Sequence, residues 1–367
     1  MNPLRTLLPF LVAAAPLAAA IEELRPKGGL DPLPYQQSPH PMPNYLAGQR
    51  WGTEGEKITR MQEPLSPAKS AERIVLRQGF QADLWAADPQ ILKPISMTFD
   101  ERGRLWIAET VDYPNELQKA GEGRDRIKIC EDTNGDGKAD KFTVFADKLS
   151  IPTGLCRANG GLIVIEGGQT LFLRDTDGDD RADERKVLFK GWNMGDTHAT
   201  ASNIRLGHDN WVWGVVGYSG FDGEVGGKRV KFGMGVFRFK PDGSALEFVR
   251  SSNNNTWGLG LSEDGLVFGS TANGNAAWYM PIPNRYYEAV SGWSAARMES
   301  IADNQLYHPI AQNVRQVDWH GKYTAGAGSA LYTARSFPKN YWNRVSFVTE
   351  PTGHLIGQFR FEGSGAD

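Results

Sequence analysis

The chain has 367 residues, of which 40% are hydrophobic and 11% aromatic, so it is long enough to bury a large core. Its 42 Gly and 21 Pro indicate many turns between short strands. A formal net charge of only −3, without a basic run interleaved with aromatic residues, argues against a nucleic-acid-binding surface.

The first 20 residues, MNPLRTLLPFLVAAAPLAAA, have the pattern of a secretory signal peptide. Arg5 supplies the positive start, an apolar stretch follows, and residues 18–20 are the small residues of a cleavage site. A membrane anchor is the alternative, although the apolar stretch is short for a span. We expect export to the periplasm or the cell exterior, with no transmembrane span after cleavage.

Residues 21–70 are rich in proline and polar residues and show no lasting apolar periodicity. They predict a linker or an extended arm, with one short helical turn at most in LSPAKSAERI. From residue 74 onward strand signals take over, and we assign residues 71–367 to one β domain.

One phrase recurs through that domain, roughly 50 to 57 residues apart: FDERGRLWIAE, ANGGLIVIEG, LGHDNWVWGVVG and LSEDGLVFGST. Each is a polar turn followed by a buried strand that ends in small or acidic residues. The interval suits the four-stranded blades of an all-β propeller, whereas a β-sandwich gives no reason for it. A fifth unit follows near the C-terminus, so we expect five blades of a ring that holds six in its parent, truncated at its C-terminal end.

Cys130 and Cys156 are the two cysteines of the chain, and an oxidising compartment would allow one disulfide. Each lies in a strand-like run, which favours buried thiols. The chain has no C-x-x-C-H motif, so it carries no covalent haem.

Two acidic loops, DTNGDGKAD and DTDGDDRAD, start 43 residues apart. Their alternating oxygen ligands follow the early part of an EF-hand loop, although the Glu at its twelfth position is missing, and flanking strands exclude an EF-hand. The pattern resembles the calcium-binding hairpin loops of integrin-type propellers. The predicted Ca²⁺ ligands are Asp132, Asn134, Asp136, Lys138 and Asp140 in the first loop, and Asp175, Asp177, Asp179 and Asp183 in the second.

In the second loop Asp180 replaces the glycine of the turn, so we expect weaker binding there. A pair of solvated turns without metal is the alternative for both loops.

The stretch GDTHATASNIRLGHDNWVWGVVG places His198 just before an inner strand, where propellers bind ligands over their central channel. It resembles the H-x-x-G-x-L-x-x-G-P-D-G segment of soluble quinoprotein sugar dehydrogenases, six-bladed propellers that use pyrroloquinoline quinone. The resemblance implies that His198 is the general base for a substrate hydroxyl. A hydrogen-bonded residue that fixes a loop is the alternative.

A wider resemblance, from Leu65 to the end of the chain, is to the N-terminal domain of bacterial membrane-bound dehydrogenases. It rests on LSPAKSAERIVLRQGFQADLW and its continuation, on both acidic loops and on THATASNIRLGHDNWVWG. In that family HEAT-like repeats and a cytochrome c segment commonly follow the propeller. The resemblance therefore implies a cytochrome c electron acceptor, on the parent chain or on a partner.

Departures from the sugar dehydrogenase pattern concern the cofactor. Its R-N-x-x-G-L phrase falls on NNTWGL, which places Asn254 where an arginine is expected. Asn255 and Trp257 then become the candidate cofactor-binding or sugar-facing residues, together with Asn254 and the preceding Asn253.

Other polar residues are weaker candidates. Glu109 and Asp112 follow a strand that we take to be the first inner strand, so they face the channel or form hydrogen bonds between blades. His208 lies in a turn, and the remaining histidines lack the paired spacing of a metal site: His308, His320 and His354. Two functions remain: oxidation of a sugar or alcohol, and non-catalytic binding of a carbohydrate or protein.

Overall fold

The computed structural model describes residues 24–44, 53–308 and 322–363. The segment before the domain contains a hairpin of two antiparallel strands, β1 (Tyr35–Met42) and β2 (Ile58–Gln62). Helix α1 (Pro67–Glu72) is the expected short turn, and Ser66 caps it by accepting the Lys69 N–H at 3.4 Å. The predicted signal peptide lies outside the described residues, and no strand forms between residue 74 and residue 94.

Five small antiparallel sheets follow as the blades of a β-propeller, which confirms the predicted fold class. Blade 1 contains β3 (Pro94–Phe99), β4 (Leu105–Glu109), β5 (Asp125–Glu131) and β6 (Lys141–Leu149). Blade 2 contains β7 (Gly154–Ala158), β8 (Gly161–Glu166), β9 (Gln169–Arg174) and β10 (Glu184–Lys190).

Blade 3 carries an extra hairpin between its second and third strands. It contains β11 (Ala201–Leu206), β12 (Val212–Val216), the hairpin β13 (Phe221–Val225) and β14 (Lys228–Phe232), then β15 (Gly235–Phe239) and β16 (Leu246–Ser251). Blade 4 contains β17 (Thr256–Leu261), β18 (Val267–Thr271) and β19 (Trp278–Met280), followed by helix α2 (Asn284–Glu288). Blade 5 contains β20 (Ala327–Leu331), a 3₁₀ turn (Lys339–Tyr341), β21 (Val345–Glu350) and β22 (Leu355–Arg360).

The innermost strand of each blade is its first strand. β7 contacts both β3 and β11, and β17 contacts both β11 and β20, which places these five strands around one axis. The recurring phrase of the sequence therefore forms the second strand, and our assignment of FDERGRLWIAE to an inner strand was wrong. In blade 1 the inner strand β3 is exposed at half of its positions, so it lacks the apolar pattern of the second strand β4.

Antiparallel order divides the loops between two faces of the ring. We call the face where inner strands begin the upper face, and the face where they end the lower face. The segments before the inner strands share the upper face with the loops after the second strands. Both acidic loops connect third and fourth strands, so they lie on the lower face.

The core consists of apolar layers between adjacent blades. Trp106, Ile127 and Leu155 belong to the layer between blades 1 and 2, and Ile204 and Phe237 to the layer between blades 2 and 3. Each fully buried large side chain contributes about 1.5–3 kcal/mol. The faces of the blades, more than their edges, therefore hold the ring together.

A glutamate that ends the second strand recurs in blades 1, 2 and 5 as Glu109, Glu166 and Glu350. Glu109 accepts the Leu92 N–H at 2.7 Å, and Glu166 accepts the Ser150 N–H at 3.0 Å. Each of these two carboxylates thereby ties the second strand to the segment that leads into the inner strand of the same blade. The glutamate that ends the repeated phrase in blades 1 and 2 therefore has a structural role.

Residues 77–92, which we call the strap, bridge blades 5 and 1. Phe80 packs edge-on against Phe337 of blade 5, with ring centroids 4.9 Å apart. Further along, Trp85 accepts the Ala139 N–H of blade 1 at 2.8 Å, and Gln90 accepts the Lys128 ammonium through its carbonyl. The strap thus lies against the two blades that come first and last in the chain.

Cys130 in β5 and Cys156 in β7 are free and buried, which confirms the prediction of buried thiols. Burial raises the pKa of Cys130 to about 11 and that of Cys156 to about 12. Across the described residues, helices are too short or too polar to cross a bilayer.

Candidate functional site

His198 lies on the upper face, in a 3₁₀ turn (Thr197–Ala199) that leads into β11. Asp196 caps this turn by accepting the His198 N–H at 3.0 Å, and its Oδ1 also lies 3.3 Å from the imidazole Nδ1. Both side chains are more than half exposed, at 59% for His198 and 54% for Asp196. The imidazole is therefore oriented by a carboxylate and open to solvent.

Residues of blade 4 hold the backbone of His198. The side-chain N–H groups of Asn255 and Trp257 both donate to the His198 carbonyl, Asn255 at 3.1 Å. Asn254 accepts the Tyr218 hydroxyl at 2.6 Å through its side-chain oxygen. The structure therefore brings all four predicted site residues together, although the donors of Asn255 and Trp257 already bond to the protein.

Blade 1 also reaches this point, through the loop after β4. The ring of Tyr113 lies edge-on to His198 with centroids 5.3 Å apart, and Thr197 donates to the Pro114 carbonyl at 2.7 Å. Burial raises the pKa of Tyr113, and the nearby Asp196 carboxylate raises it further. Blades 1 and 3 are not neighbours in the ring, so their contact at His198 places this residue over the axis.

Gly217, just after β12, makes room for the amide of Asn255. A Cβ at position 217 would lie 1.6 Å from the Asn255 Oδ1. That oxygen is buried and has no hydrogen-bond partner. The Oδ1 of Asn255 is therefore a buried acceptor without a partner, beside the backbone that carries His198.

The residues around His198 do not fit an anionic quinone. Asp196 is the charged group nearest to the imidazole, and Asn255 presents an unused acceptor instead of a donor. Asn254, at the expected arginine, is bonded to Tyr218. The ammonium of Lys93 is engaged, because it donates to the Tyr113 carbonyl at 2.6 Å. Among the described residues that contact His198, a tricarboxylate cofactor would meet one carboxylate and no guanidinium.

The two acidic loops have the same internal hydrogen bonds. Asp132 and Asp175, the first residues, accept backbone N–H groups three and five residues ahead, at 2.6–2.9 Å. Asp140 and Asp183, the last, accept the N–H and hydroxyl of the threonine after the first aspartate. These bonds hold both loops in their shape. In Asp175, burial would raise the pKa of the carboxyl group, but the backbone hydrogen bonds outweigh burial and lower that pKa.

Only the second loop gathers three carboxylates among the described residues: Asp175, Asp177 and Asp183 offer oxygens within 4.8 Å of one another. Asn134 replaces the middle carboxylate in the first loop. Asp180 does adopt the left-handed backbone, with φ of 63°, and its carboxylate accepts from Arg104 of blade 1. The sequence favoured the first loop as the stronger calcium site, whereas this arrangement of hard oxygen ligands favours the second.

The other candidates are bonded to nearby side chains. Glu109 is buried and paired with Arg126 and Lys128 of its own blade. Asp112 is buried and paired with Arg124 at 2.6 Å. Asn253 accepts the Asn275 amide at 3.2 Å. Glu109 and Asp112 thus have structural partners within blade 1 and its loops.

The described histidines outside the site stand alone. His208, His308 and His354 are exposed, and none belongs to a cluster of potential metal ligands in the described ranges. His320 lies outside the described residues. Sequence reasoning missed Asp196, Tyr113 and Tyr218 as site residues. Asp196 stood two positions before His198, in the stretch already singled out, but the tyrosines come from other loops.

The structure is similar to several solved propellers. An oxidoreductase (glucose dehydrogenase) of Thermus thermophilus is 14% identical, over 75% of this chain and 80% of that chain, with a TM-score of 0.47. The pyrroloquinoline quinone-bound aldose sugar dehydrogenase of Streptomyces coelicolor is 13% identical, over 74% and 78%, with a TM-score of 0.44. At these values the likeness concerns the architecture of the propeller.

One curated protein is also similar over a short stretch. The pleckstrin homology domain-containing family O member 1 of Gallus gallus is 35% identical over 78 residues, 21% of this chain and 18% of its own length. This match says nothing of the activity of either chain. Residues 66–367 match the family described as "Domain of unknown function (DUF7133)", and the chain therefore belongs to that family.

Proposed function

We propose that the upper face binds a sugar or an alcohol, and that His198 takes the proton of one of its hydroxyl groups during oxidation. The observation that carries this proposal is the meeting of blades 1, 3 and 4 at His198. A solvent-exposed imidazole over the axis of a propeller is in the position where these folds bind ligands.

The chemistry follows from the hydrogen bonds of the imidazole. Asp196 is an acceptor, so it favours the tautomer with the proton on Nδ1 and leaves Nε2 free to accept a hydroxyl proton. The carboxylate also stabilises the imidazolium that forms. A base of this kind typically contributes about 10²–10⁴-fold to the rate.

Oxidation also releases a hydride from the carbon, and we take its acceptor to be a diffusible two-electron oxidant of the kind that the dye in the assay supplies. Pyrroloquinoline quinone is the acceptor implied by the resemblance, and the residues beside His198 argue against it, so we derive no step through it. The experiment is dye reduction across a panel of sugars and alcohols, with and without added pyrroloquinoline quinone. We expect turnover that falls at least about 100-fold in His198→Asn and is unchanged in His208→Asn, a matched exposed histidine.

Non-catalytic binding of a carbohydrate or protein is the second candidate. It is favoured by the engaged Asn254, which leaves the site without the expected guanidinium. Calorimetry with the same sugars separates the two. Binding without turnover under any acceptor, equal in wild type and His198→Asn, would replace the enzymatic proposal with this one.

We also propose that both acidic loops bind Ca²⁺ as a structural ion on the lower face. Preformed loops with dense oxygen ligands support the proposal, because clustered carboxylates repel one another unless a cation lies among them. Asp175, Asp177 and Asp183 would hold the ion in the second loop, and Asp132, Asn134 and Asp140 in the first. The ion would brace the hairpin and take no part in catalysis.

Export and a cytochrome c acceptor complete the proposal. Their support is the signal-like sequence of residues 1–20 and the resemblance to membrane-bound dehydrogenases. Fractionation of the producing cells tests export. The acceptor is tested by adding cytochrome c to the substrate-treated protein and following its reduction by absorbance. If the protein is not exported and cytochrome c is not reduced, the proposal is restricted to the hydroxyl-binding site.

A further inference from the structure

The carboxylate of Asp196 has one oxygen in use and one oxygen free. Its Oδ1 accepts the His198 N–H at 3.0 Å and lies 3.3 Å from the imidazole Nδ1, whereas no described residue bonds to its Oδ2. In the part of the chain that the structure describes, no lysine or arginine lies within ion-pair distance of this side chain, which is 54% exposed. The upper face therefore presents a solvent-accessible anionic oxygen beside the imidazole.

Four side-chain donors around the 3₁₀ turn of His198 are already bonded to protein acceptors. They are the amide of Asn255 and the indole of Trp257, which donate to the His198 carbonyl, and the hydroxyls of Tyr218 and Ser219, which donate to the Asn254 side chain and the Asp196 carbonyl. The groups left for a ligand are acceptors, namely Oδ2 of Asp196 and Nε2 of His198 in the tautomer that Asp196 favours. A complementary ligand is therefore rich in donors.

Tyr113 adds an aromatic ring to the same place. The ring lies edge-on to the imidazole of His198 with centroids 5.3 Å apart, and its hydroxyl can accept as well as donate. Burial raises the pKa of Tyr113, and the Asp196 carboxylate raises it further, so the electrostatic potential at this hydroxyl is negative. Lys93 bonds to the backbone carbonyl of Tyr113, at the opposite end of that residue. A carboxylate beside an aromatic ring suits an ammonium ion.

We propose that this site selects a polyol that carries a protonated amine, such as an amino sugar or an amino alcohol, and that Asp196 determines this specificity. The ammonium group would donate to Oδ2 of Asp196, because it has three donors and no acceptor, and such a charge-assisted bond is about twice as strong as a neutral one. A hydroxyl of the same ligand would donate to Nε2 of His198. The inference rests on the proposed function for the place of the site, and it holds whether or not the ligand is oxidised.

The test is calorimetric titration of the full chain with 1-amino-1-deoxysorbitol, sorbitol and gluconate, near neutral pH and at low salt. These ligands share one carbon chain and differ at a single carbon, which bears a cationic, a neutral or an anionic group. We expect the amine to bind about 5-fold more tightly than sorbitol, and gluconate to bind less tightly than sorbitol because Asp196 repels its carboxylate. High salt should reduce these differences, since the charges are exposed.

Asp196→Asn should bind the amine and sorbitol with equal affinity. Asparagine accepts the N–H at the start of a helical turn as aspartate does, so the turn that carries His198 should keep its shape. The matched control is Asp264→Asn, which changes an exposed aspartate between β17 and β18 on the lower face and should retain the preference for the amine.

Equal affinity of the wild type for the amine and for sorbitol would overturn the proposal, and so would a preference that persists in Asp196→Asn. Binding of none of the three ligands would overturn it as well. Dye reduction, measured on the same samples, separates this inference from the proposed oxidation. Selective binding of the amine without dye reduction would remove only the oxidation, whereas turnover of neutral sugars without any preference for the amine would remove only the proposed specificity.

Discussion

Arg104 of blade 1 and Asp180 of blade 2 are joined by two hydrogen bonds, each 2.9 Å long, from one guanidinium nitrogen to both carboxylate oxygens. The same guanidinium bonds to Asp100 at 2.7 Å. Asp180 therefore connects the acidic loop of one blade to the first turn of the neighbouring blade. This contact explains why an aspartate stands where the first loop has a glycine.

Replacing Arg104 by Met should lower the free energy of unfolding by about 3 kcal/mol, because the change leaves the buried Asp100 without a cation. Chemical denaturation measures the difference. Arg174→Met removes an exposed pair with Glu184 and should have little effect. Equal effects of the two variants would show that the Arg104 network is no more than a surface contact.

The pH dependence of stability should reflect Asp100. Burial would raise its pKa, but hydrogen bonds from Trp106 and Arg104 outweigh burial and lower the pKa to about 2, below its ordinary 3.8. The stabilisation is therefore fully present above the ordinary pKa and is lost as the pH falls through the lowered one. Denaturation of wild type and Asp100→Asn should show the curves converging over that range. Stability curves of the two proteins that stay parallel over that pH range would contradict this prediction.

Gly217→Ala should disturb the site from a distance, because its Cβ would displace the Asn255 amide that holds His198. We expect a loss of about 2 kcal/mol in unfolding free energy. In the double variant with Asn255→Ala the two losses should add only in part, since the clash with the Asn255 amide is gone while the Ala199 carbonyl oxygen, at 2.9 Å from the new Cβ, remains. A full double-mutant cycle measures this coupling, and strict additivity would rule out the proposed contact.

Calcium should raise Tm by mass action, and EDTA should reverse the effect. Asp177→Asn converts the second loop to the ligand set of the first and should weaken binding there. Asn134→Asp makes the reciprocal change and should strengthen the first loop. Calorimetric titration separates the two affinities. A melting curve that does not respond to calcium or EDTA in any of the three proteins would remove both sites.

Glu350 should behave in the opposite way from Glu109, although both end second strands. Burial raises the pKa of Glu350, and hydrogen bonds from the Gly353 and Thr324 N–H groups only partly oppose this. Its ionisation above the ordinary pKa of 4.5 therefore costs stability as the pH rises. Near neutral pH and above, we expect Glu350→Gln to raise the free energy of unfolding by about 1 kcal/mol. Urea denaturation measures the change.

The matched control is Glu109→Gln, which leaves Lys128 buried and unpaired. That change should lower the free energy of unfolding by about 3 kcal/mol. Loss of stability in both variants would show that both glutamates stabilise the fold in their ionised form.

The propeller was predictable because a buried second strand and its polar turn recur along the domain. Its inner strands were not, since Met97 and Phe99 of β3 are exposed and give no buried pattern. The same limit applies to the site. Local sequence placed Asn255 and Trp257 near His198 through a resemblance, but their bonds to its carbonyl span 57 and 59 residues.

Contacts such as that between Arg104 and Asp180 join residues 76 positions apart, and nothing in either local stretch indicates its partner. A β-bulge at Val249 of β16 likewise forms against β15, where the register shifts between Val236 and Phe237. Sequence patterns specify which residues a strand buries, whereas pairings between blades depend on the assembled ring.

The strap has a consequence for how the chain reaches its native state. Arg77 and Gln358, which it brings together, are 281 residues apart in sequence. During synthesis the strap leaves the ribosome long before blade 5, to which it binds, has been made. The surface of blade 1 on the side of blade 5 therefore stays exposed until synthesis ends. Folding should therefore finish, after synthesis, with the slow docking of the strap on blade 5. A chaperone that covers the exposed surface of blade 1 would shorten the time during which the chain can aggregate.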